Sequence, residues 1–331
     1  MLNVPDPAPE RTSPSRPCPL CGSPAVEVIA GITAQQIVAS TPFYGEGQCE
    51  RLGVNPADRY GISWCYDCSF GFTSELPSEN FLAKLYGIGY PPEEAVPVFA
   101  RPGRAAYAFH SLSLLLSALA AKAEVDSRGC LSRPLRILDV GCAYAVGSLG
   151  LVHRHYPYEL TGVEWAESTR QYLQSQGAHV YPTVESIPEG ERFDAVILND
   201  VLEHVPDPLS FLRQVRRCSQ PNGVVWINVP DFSWWRMKGV VQDLKAGARV
   251  VPKDLNPWEH LSYFTPRSLH AAMARVGWRR LPQETVEYSF RCSSWKDLLK
   301  ATPRFLRDAW RIKRGTYFAS VRTSGLFEFA P

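Results

Sequence analysis

Short apolar runs, each closed by a polar or acidic residue, recur along the second half of the chain. They predict strands at 135–139, 159–163, 178–181, 193–198 and 223–229. Stretches with helical spacing separate them, and that alternation predicts a parallel α/β sheet. Two more runs, 284–290 and 315–322, predict the last strands, with 293–314 as a helix between them. The first third reads differently. Segments 62–65 and 69–72 predict a hairpin, and 78–90 predicts a short helix capped by Ser78 and leading to a loop with Tyr90. Residues 1–16 read as a disordered tail, 17–95 as a small module with a tyrosine-bearing loop, and 96–130 as a helical linker. The main domain then covers 131–323, and 324–331 is read as a tail.

The first of these strands opens into a loop of small residues, Asp139-Val140-Gly141-Cys142-Ala143-Tyr144-Ala145-Val146-Gly147. Small residues let a backbone approach a ligand closely. The second strand ends in Glu164, about 20 residues on, where a carboxylate can receive ribose hydroxyls. The fourth runs into Asn199-Asp200-Val201-Leu202-Glu203-His204-Val205-Pro206-Asp207-Pro208. In this ordered set the chain resembles the class I S-adenosylmethionine-dependent methyltransferases, small-molecule branch, over roughly 135–290. The resemblance implies a Rossmann-like seven-stranded sheet whose last two strands pair antiparallel at one edge.

It also implies site residues. Asp139, Gly141 and Ala143 would touch the methionine end of S-adenosylmethionine, and Glu164 both ribose hydroxyls. Trp165 would lie near the adenine, with Thr183 or Glu185 toward its amine, and Asn199 and Asp200 beside the sulfonium. Capping of the following helix is the competing reading for these two, above all for Asp200. The loop departs from the usual Gly-x-Gly-x-Gly by carrying Ala143 and Ala145, and alanine fits poorly where φ is positive. Trp258-Glu259-His260-Leu261-Ser262-Tyr263-Phe264 is similar to a segment of sugar C-methyltransferases that also have an amino-terminal zinc module. That likeness makes His260 the acid/base residue and Glu259 its partner, and it places Tyr86 and Tyr90 over the acceptor. His204 either shapes the pocket or takes part in proton transfer. Residues 231–238 read either as a substrate lid or as ordinary helix packing.

Cysteine spacing adds a second site. Cys18 and Cys21 form one two-residue-spaced pair, and Cys65 and Cys68 another. Two such knuckles complete a tetrahedral zinc site, with redox dithiols as the competing reading. The count of nine cysteines is odd, which argues against a secreted disulfide framework. The 35 basic and 33 acidic residues leave a net charge of +2, which gives no support to nucleic acid or an anionic membrane as main partner. The apolar run at 112–121 is too short to span a bilayer, and no leader is visible, so the expected location is cytoplasmic. The functional expectation is a methyltransferase with structural zinc, acting by O- or C-methylation on a nucleotide sugar, glycan intermediate or secondary metabolite. The rival is a binding or scaffold protein on a degraded methyltransferase fold.

Overall fold

The computed structural model describes residues 16–41, 44–87, 133–144, 158–281 and 322–329. Tyr90, Ala145, the 96–130 linker and the 284–290 and 293–314 segments lie outside the described residues.

Two sheets organise the described residues. The larger has seven strands in the order β10-β11-β8-β7-β4-β5-β6. Its parallel part is β4 (Leu135–Val140), β5 (Tyr158–Val163), β6 (His179–Tyr181), β7 (Phe193–Asn199) and β8 (Ser219–Pro230). Strand β8 is fully buried from Gly223 through Pro230, the continuous apolar run expected of a strand covered on both faces. Helices α4 (Glu167–Ser175) and α5 (Pro208–Arg217) connect parallel strands. Asp207 caps α5 by accepting from the Ser210 amide at 3.0 Å, and Pro208 fills a first-turn position where its missing N–H costs nothing.

An antiparallel edge is present among the described residues; the expected strand at 284–290 and all but the last residue of that at 315–322 lie outside them. β10 is Trp278–Arg280 and β11 is Arg322–Phe329, and β11 pairs antiparallel with both β10 and β8. Residues 324–329 are therefore a strand inserted next to β8, not a tail. Its composition hid it: Thr323, Ser324 and Gly325 interrupt the apolar pattern that marks a strand.

The smaller sheet has the order β1-β2-β3-β9. β1 (Val26–Thr33), β2 (Arg59–Cys65) and β3 (Phe70–Thr73) form an antiparallel meander, with α1 (Ala34–Ser40) and α2 (Gln48–Leu52) filling the stretch between the cysteine pairs. Thr33 and Gln36 cap α1 reciprocally. The fourth strand, β9 (Ser262–Tyr263), comes from the other end of the chain. The amino-terminal sheet is thus completed by the main domain. Its core is shared as well: Ile32, Ile37, Ile62 and Trp64 pack with Phe232, Met237, Trp258 and Tyr263. Phe232 and Met237 lie in the 231–238 stretch, and both are buried in this shared core. Helix α6 (Trp234–Lys245) sets Trp234 against Trp64 and Tyr66. Helix α3 (Glu79–Gly87) carries Tyr86, and α7 (Pro266–Arg275) starts at the Thr265–Ser268 capping box. No helix among the described residues is long and apolar enough to cross a membrane.

Candidate active site

The strand order reverses direction between β4 and β7, and ligands of open α/β sheets bind beyond the carboxyl ends at such a point. The two loops that leave these strands face each other. Gly141 has φ +64°, and a Cβ there would lie 2.7 Å from Val201 Cγ2. Only glycine satisfies both constraints. The Gly141 and Cys142 amides donate to the Val163 carbonyl at 2.8 and 3.1 Å, which ties this loop to β5. Cys142 is explained by packing, since its Sγ would be 2.8 Å from a Cβ on Gly162.

Ala143 adopts φ +45°. The conflict anticipated from the sequence is real: an alanine occupies the left-handed region. Its amide donates to Glu164 at 3.0 Å, and the Ala166 amide donates to the other carboxylate oxygen at 2.8 Å. The backbone is held in this shape by Glu164. A left-handed alanine costs about 1–2 kcal/mol. Ala143→Gly should therefore raise the melting temperature by about 2–4 °C per kcal/mol recovered, less the added chain entropy of glycine. Thermal unfolding checks this, and a lower melting temperature would show that the alanine methyl packs favourably.

Glu164 has acceptor capacity beyond these two amides, because a carboxylate offers about four lone-pair positions. Trp165 beside it is 55% exposed, and its ring meets Tyr86 edge-on at 5.6 Å. Asp139 is buried at the end of β4. At the end of β7 the Asn228 amide donates to Asn199 Oδ1 at 3.1 Å, and the Asn199 amide donates to Asp200 at 3.3 Å. Asp200 itself has φ +58°. Asn228 was not foreseen, because it looks like an interruption in an apolar strand. Thr183 stands at the same edge, with its hydroxyl accepting from the Ser186 amide at 3.3 Å in a tight turn.

A second cluster faces this edge. Leu202–His204 forms a single 3-10 turn after β7. Glu203 is 1% exposed, and its Oε2 has no hydrogen-bond partner among the described residues. Burial pushes its carboxyl up to about 8. The Tyr86 hydroxyl lies 3.2 Å from His204 Nδ1. The His204 and His260 rings meet at right angles with centroids 4.7 Å apart. Burial pushes His204 down to about 3 and lowers His260 as well, so both imidazoles are neutral at ordinary pH.

The partner of His260 differs from the one expected. Its Nδ1–H donates to the Asp254 carbonyl at 2.5 Å, which leaves Nε2 as the nitrogen with a lone pair. Glu259 accepts instead from the Tyr44 hydroxyl, and the Asn256 amide donates to the same hydroxyl at 3.1 Å. Neighbouring residues in this loop point to different partners, so Glu259 does not orient His260 by a direct bond. The His260 main chain is fixed from both sides: its amide donates to the Asn256 carbonyl at 2.7 Å, and its carbonyl accepts from the Thr73 hydroxyl at 3.2 Å. Thr73 belongs to β3, so the amino-terminal sheet holds this loop.

The cysteines converge in that sheet. One Sγ from each of Cys18, Cys21, Cys65 and Cys68 lies within 4.8 Å of the other three. The Cys18–Cys68 and Cys21–Cys65 sulfur separations are 3.6 and 3.5 Å. Zinc–sulfur bonds of about 2.3 Å in a tetrahedron require sulfurs about 3.8 Å apart, so the cage has the right size. The residue after each second cysteine turns into positive φ, Gly22 at 75° and Ser69 at 58°, which gives the two knuckles the same shape.

The family described as "Methyltransferase domain" matches residues 104–283, just over half of the chain. The chain is similar to the ubiquinone biosynthesis O-methyltransferase of Ruegeria pomeroyi, 26% identical over 49% of this chain and 66% of that protein. A protein of the same name from Alkalilimnicola ehrlichii is 34% identical over 38% of this chain and 53% of its own length. The chain thus spans less than two thirds of each of these relatives. Among solved structures, the plantazolicin methyltransferase BamL, in complex with a triazolic desmethylPZN analog and SAH, aligns over 76% of this chain and 94% of its own. Its TM-score is 0.47 and its identity 15%.

Proposed function

We propose a function from a plain premise: the chain belongs to the methyltransferase-domain family, the class I enzymes that use S-adenosylmethionine. The reading is methyl transfer from that donor to a hydroxyl oxygen of a small-molecule acceptor. The observation that carries it is the cradle at the switch point: Gly141, where a Cβ would strike Val201, next to a carboxylate with unused acceptor capacity at Glu164. The residues fit the donor. Gly141 and Ala143 offer close backbone approach, Glu164 can receive the ribose hydroxyls, and Trp165 presents an exposed face for the adenine. Asp139, Asn199 and Asp200 line the strand ends beside the place for the sulfonium. The oxygen acceptor is supported by the names of the Ruegeria and Alkalilimnicola relatives.

When bound, S-adenosylmethionine would supply an electrophilic methyl group on a good leaving group, the sulfonium sulfur. The protein has two tasks. It must hold acceptor and donor in line, and it must remove the hydroxyl proton. We assign proton removal to His260, assisted by His204. Tyr86 stands between His204 and Trp165, so one side chain touches both halves of the site. Tyr44, itself held by the Asn256 amide, holds Glu259, whose charge favours the protonated form of the neighbouring His260. Zinc in the four-cysteine cage is part of the same proposal. It organises the amino-terminal sheet and leaves no position open for chemistry.

Titration with S-adenosylhomocysteine tests the donor site. Glu164→Ala should weaken binding about tenfold or more, since a lost bond to a charged group is worth about 1.5–3 kcal/mol. Unchanged affinity in a folded variant removes Glu164 from the site. No binding by the wild-type chain would leave the scaffold reading in place. Acceptors are then found by transfer of labelled methyl to a panel of phenols and nucleotide sugars.

A further inference from the structure

We propose that Glu203, His204 and His260 hold a divalent metal ion, and that this ion binds the acceptor oxygen. The proposal rests on the reading of this cleft as the acceptor site. One ligand atom from each residue lies within 4.8 Å of the other two. Two imidazoles with one carboxylate are a nitrogen–oxygen donor set suited to first-row divalent ions. Such a three-residue set leaves coordination positions open.

Two further observations point to a cation. Glu203 is 1% exposed, and its Oε2 has no hydrogen-bond partner among the described residues. A buried carboxyl oxygen without a partner is costly, and a metal ion is a partner that such a group can take without water. The second is the hydrogen bond behind His260. Its Nδ1–H donates to the Asp254 carbonyl at 2.5 Å, which fixes the tautomer and aims the Nε2 lone pair away from that carbonyl. Metal-bound histidines are held in this way, by a backbone carbonyl or carboxylate on the other nitrogen. On His204 the Tyr86 hydroxyl of helix α3 lies 3.2 Å from Nδ1, which holds that ring in place as well.

The chemistry follows from the open positions. A hydroxyl bound to a divalent ion loses its proton near neutral pH far more readily than in water. The O–H bond breaks and the proton passes to solvent. The resulting oxygen attacks the methyl carbon, the O–C bond forms, and the C–S bond breaks with its electrons left on sulfur. In this scheme His260 serves as a ligand of the ion rather than as the proton acceptor, since Nε2 carries its one available lone pair. This site differs in kind from the cysteine cage. Thiolates select soft ions such as zinc, whereas Mn²⁺ prefers oxygen and nitrogen, so Mn²⁺ reports on the Glu–His–His set selectively.

The test uses the full chain and Mn²⁺ alone as probe. Metal bound on purification is measured by elemental analysis, and added Mn²⁺ is followed by the electron paramagnetic resonance of the free ion. The wild-type protein should reach about two metals per chain, one in each site. Glu203→Gln and His260→Ala should each stop at about one, or bind the second at least about tenfold more weakly. The same samples are titrated with S-adenosylhomocysteine, and their melting temperatures are recorded. Retained donor affinity in a variant shows that it is folded. A wild-type chain that binds no Mn²⁺ beyond whatever metal the cysteine cage holds overturns the proposal, as do folded variants that bind Mn²⁺ as the wild type does. If that happens while S-adenosylhomocysteine still binds, the methyltransferase reading stands and His260 takes the proton directly. If S-adenosylhomocysteine does not bind but the second metal does, the functional reading fails and the metal site remains.

Discussion

Replacing His260 by alanine should lower the turnover of methyl transfer about 10²–10⁴-fold and leave S-adenosylhomocysteine affinity within a factor of about two. The separation of effects follows from the architecture. In the proposed site, contacts to the donor would come from the loops after β4, β5 and β7. His260 sits on the loop before β9, with its ring against His204 at 4.7 Å and its Nδ1 bound to the Asp254 carbonyl. Whether it accepts the proton itself or holds an ion that promotes its loss, the truncation removes the step. A smaller effect is expected for Tyr86→Phe. That change removes one hydrogen bond to His204, worth about 0.5–1.5 kcal/mol, and keeps the ring on Trp165. Turnover should then fall about 2–10-fold. Added imidazole should restore part of the His260→Ala activity, which a merely structural defect would not allow. Full turnover in a folded His260→Ala enzyme would remove the residue from the reaction.

Much of this site was legible because its residues sit where chain geometry leaves a signature. Strands β4 to β8 are apolar runs, Gly141 marks a turn that tolerates no Cβ, and Glu164 closes a strand at a recognisable distance from that turn. The cysteine pairs are legible because two-residue spacing is the spacing of a knuckle. Other parts left no such trace. Strand β9 is two residues long, too short to show a period, and what makes it a strand is its pairing with Gly71 and Phe72. Tyr44 reaches Asn256 across 212 positions of sequence, so neither residue advertises the other. Asp254 acts through its carbonyl, which every residue has. Ala143 lies between these cases: the missing glycine raised the question, and the observed φ of +45° answers it.

Emptying the cysteine cage should reduce both stability and turnover, although the cage lies in the amino-terminal sheet rather than at the strand ends. Structural zinc contributes about 10–16 kcal/mol to the folding of small isolated modules, so even partial loss should lower the melting temperature by about 10 °C or more. The route to the active site is physical. Cys65 ends β2, Cys68 leads into β3, and β3 pairs with β9 directly after His260. From β3, Thr73 bonds the His260 carbonyl at 3.2 Å and its amide binds the Leu261 carbonyl at 3.1 Å. From the knuckles, the Leu20 carbonyl accepts from Arg275 and the Asp67 carbonyl from Arg267 at 3.0 Å, so helix α7 is fastened to the cage as well. Cys65→Ser should therefore lose about one zinc per chain and most of its turnover. S-adenosylhomocysteine affinity should change far less, because Gly141, Ala143 and Glu164 are fixed by β4 and β5. Elemental analysis, thermal unfolding and donor titration on the same sample check all three parts. Wild-type protein without zinc and with four freely reactive thiols would remove the metal. A zinc-free variant with full turnover would instead cut the link between the cage and His260.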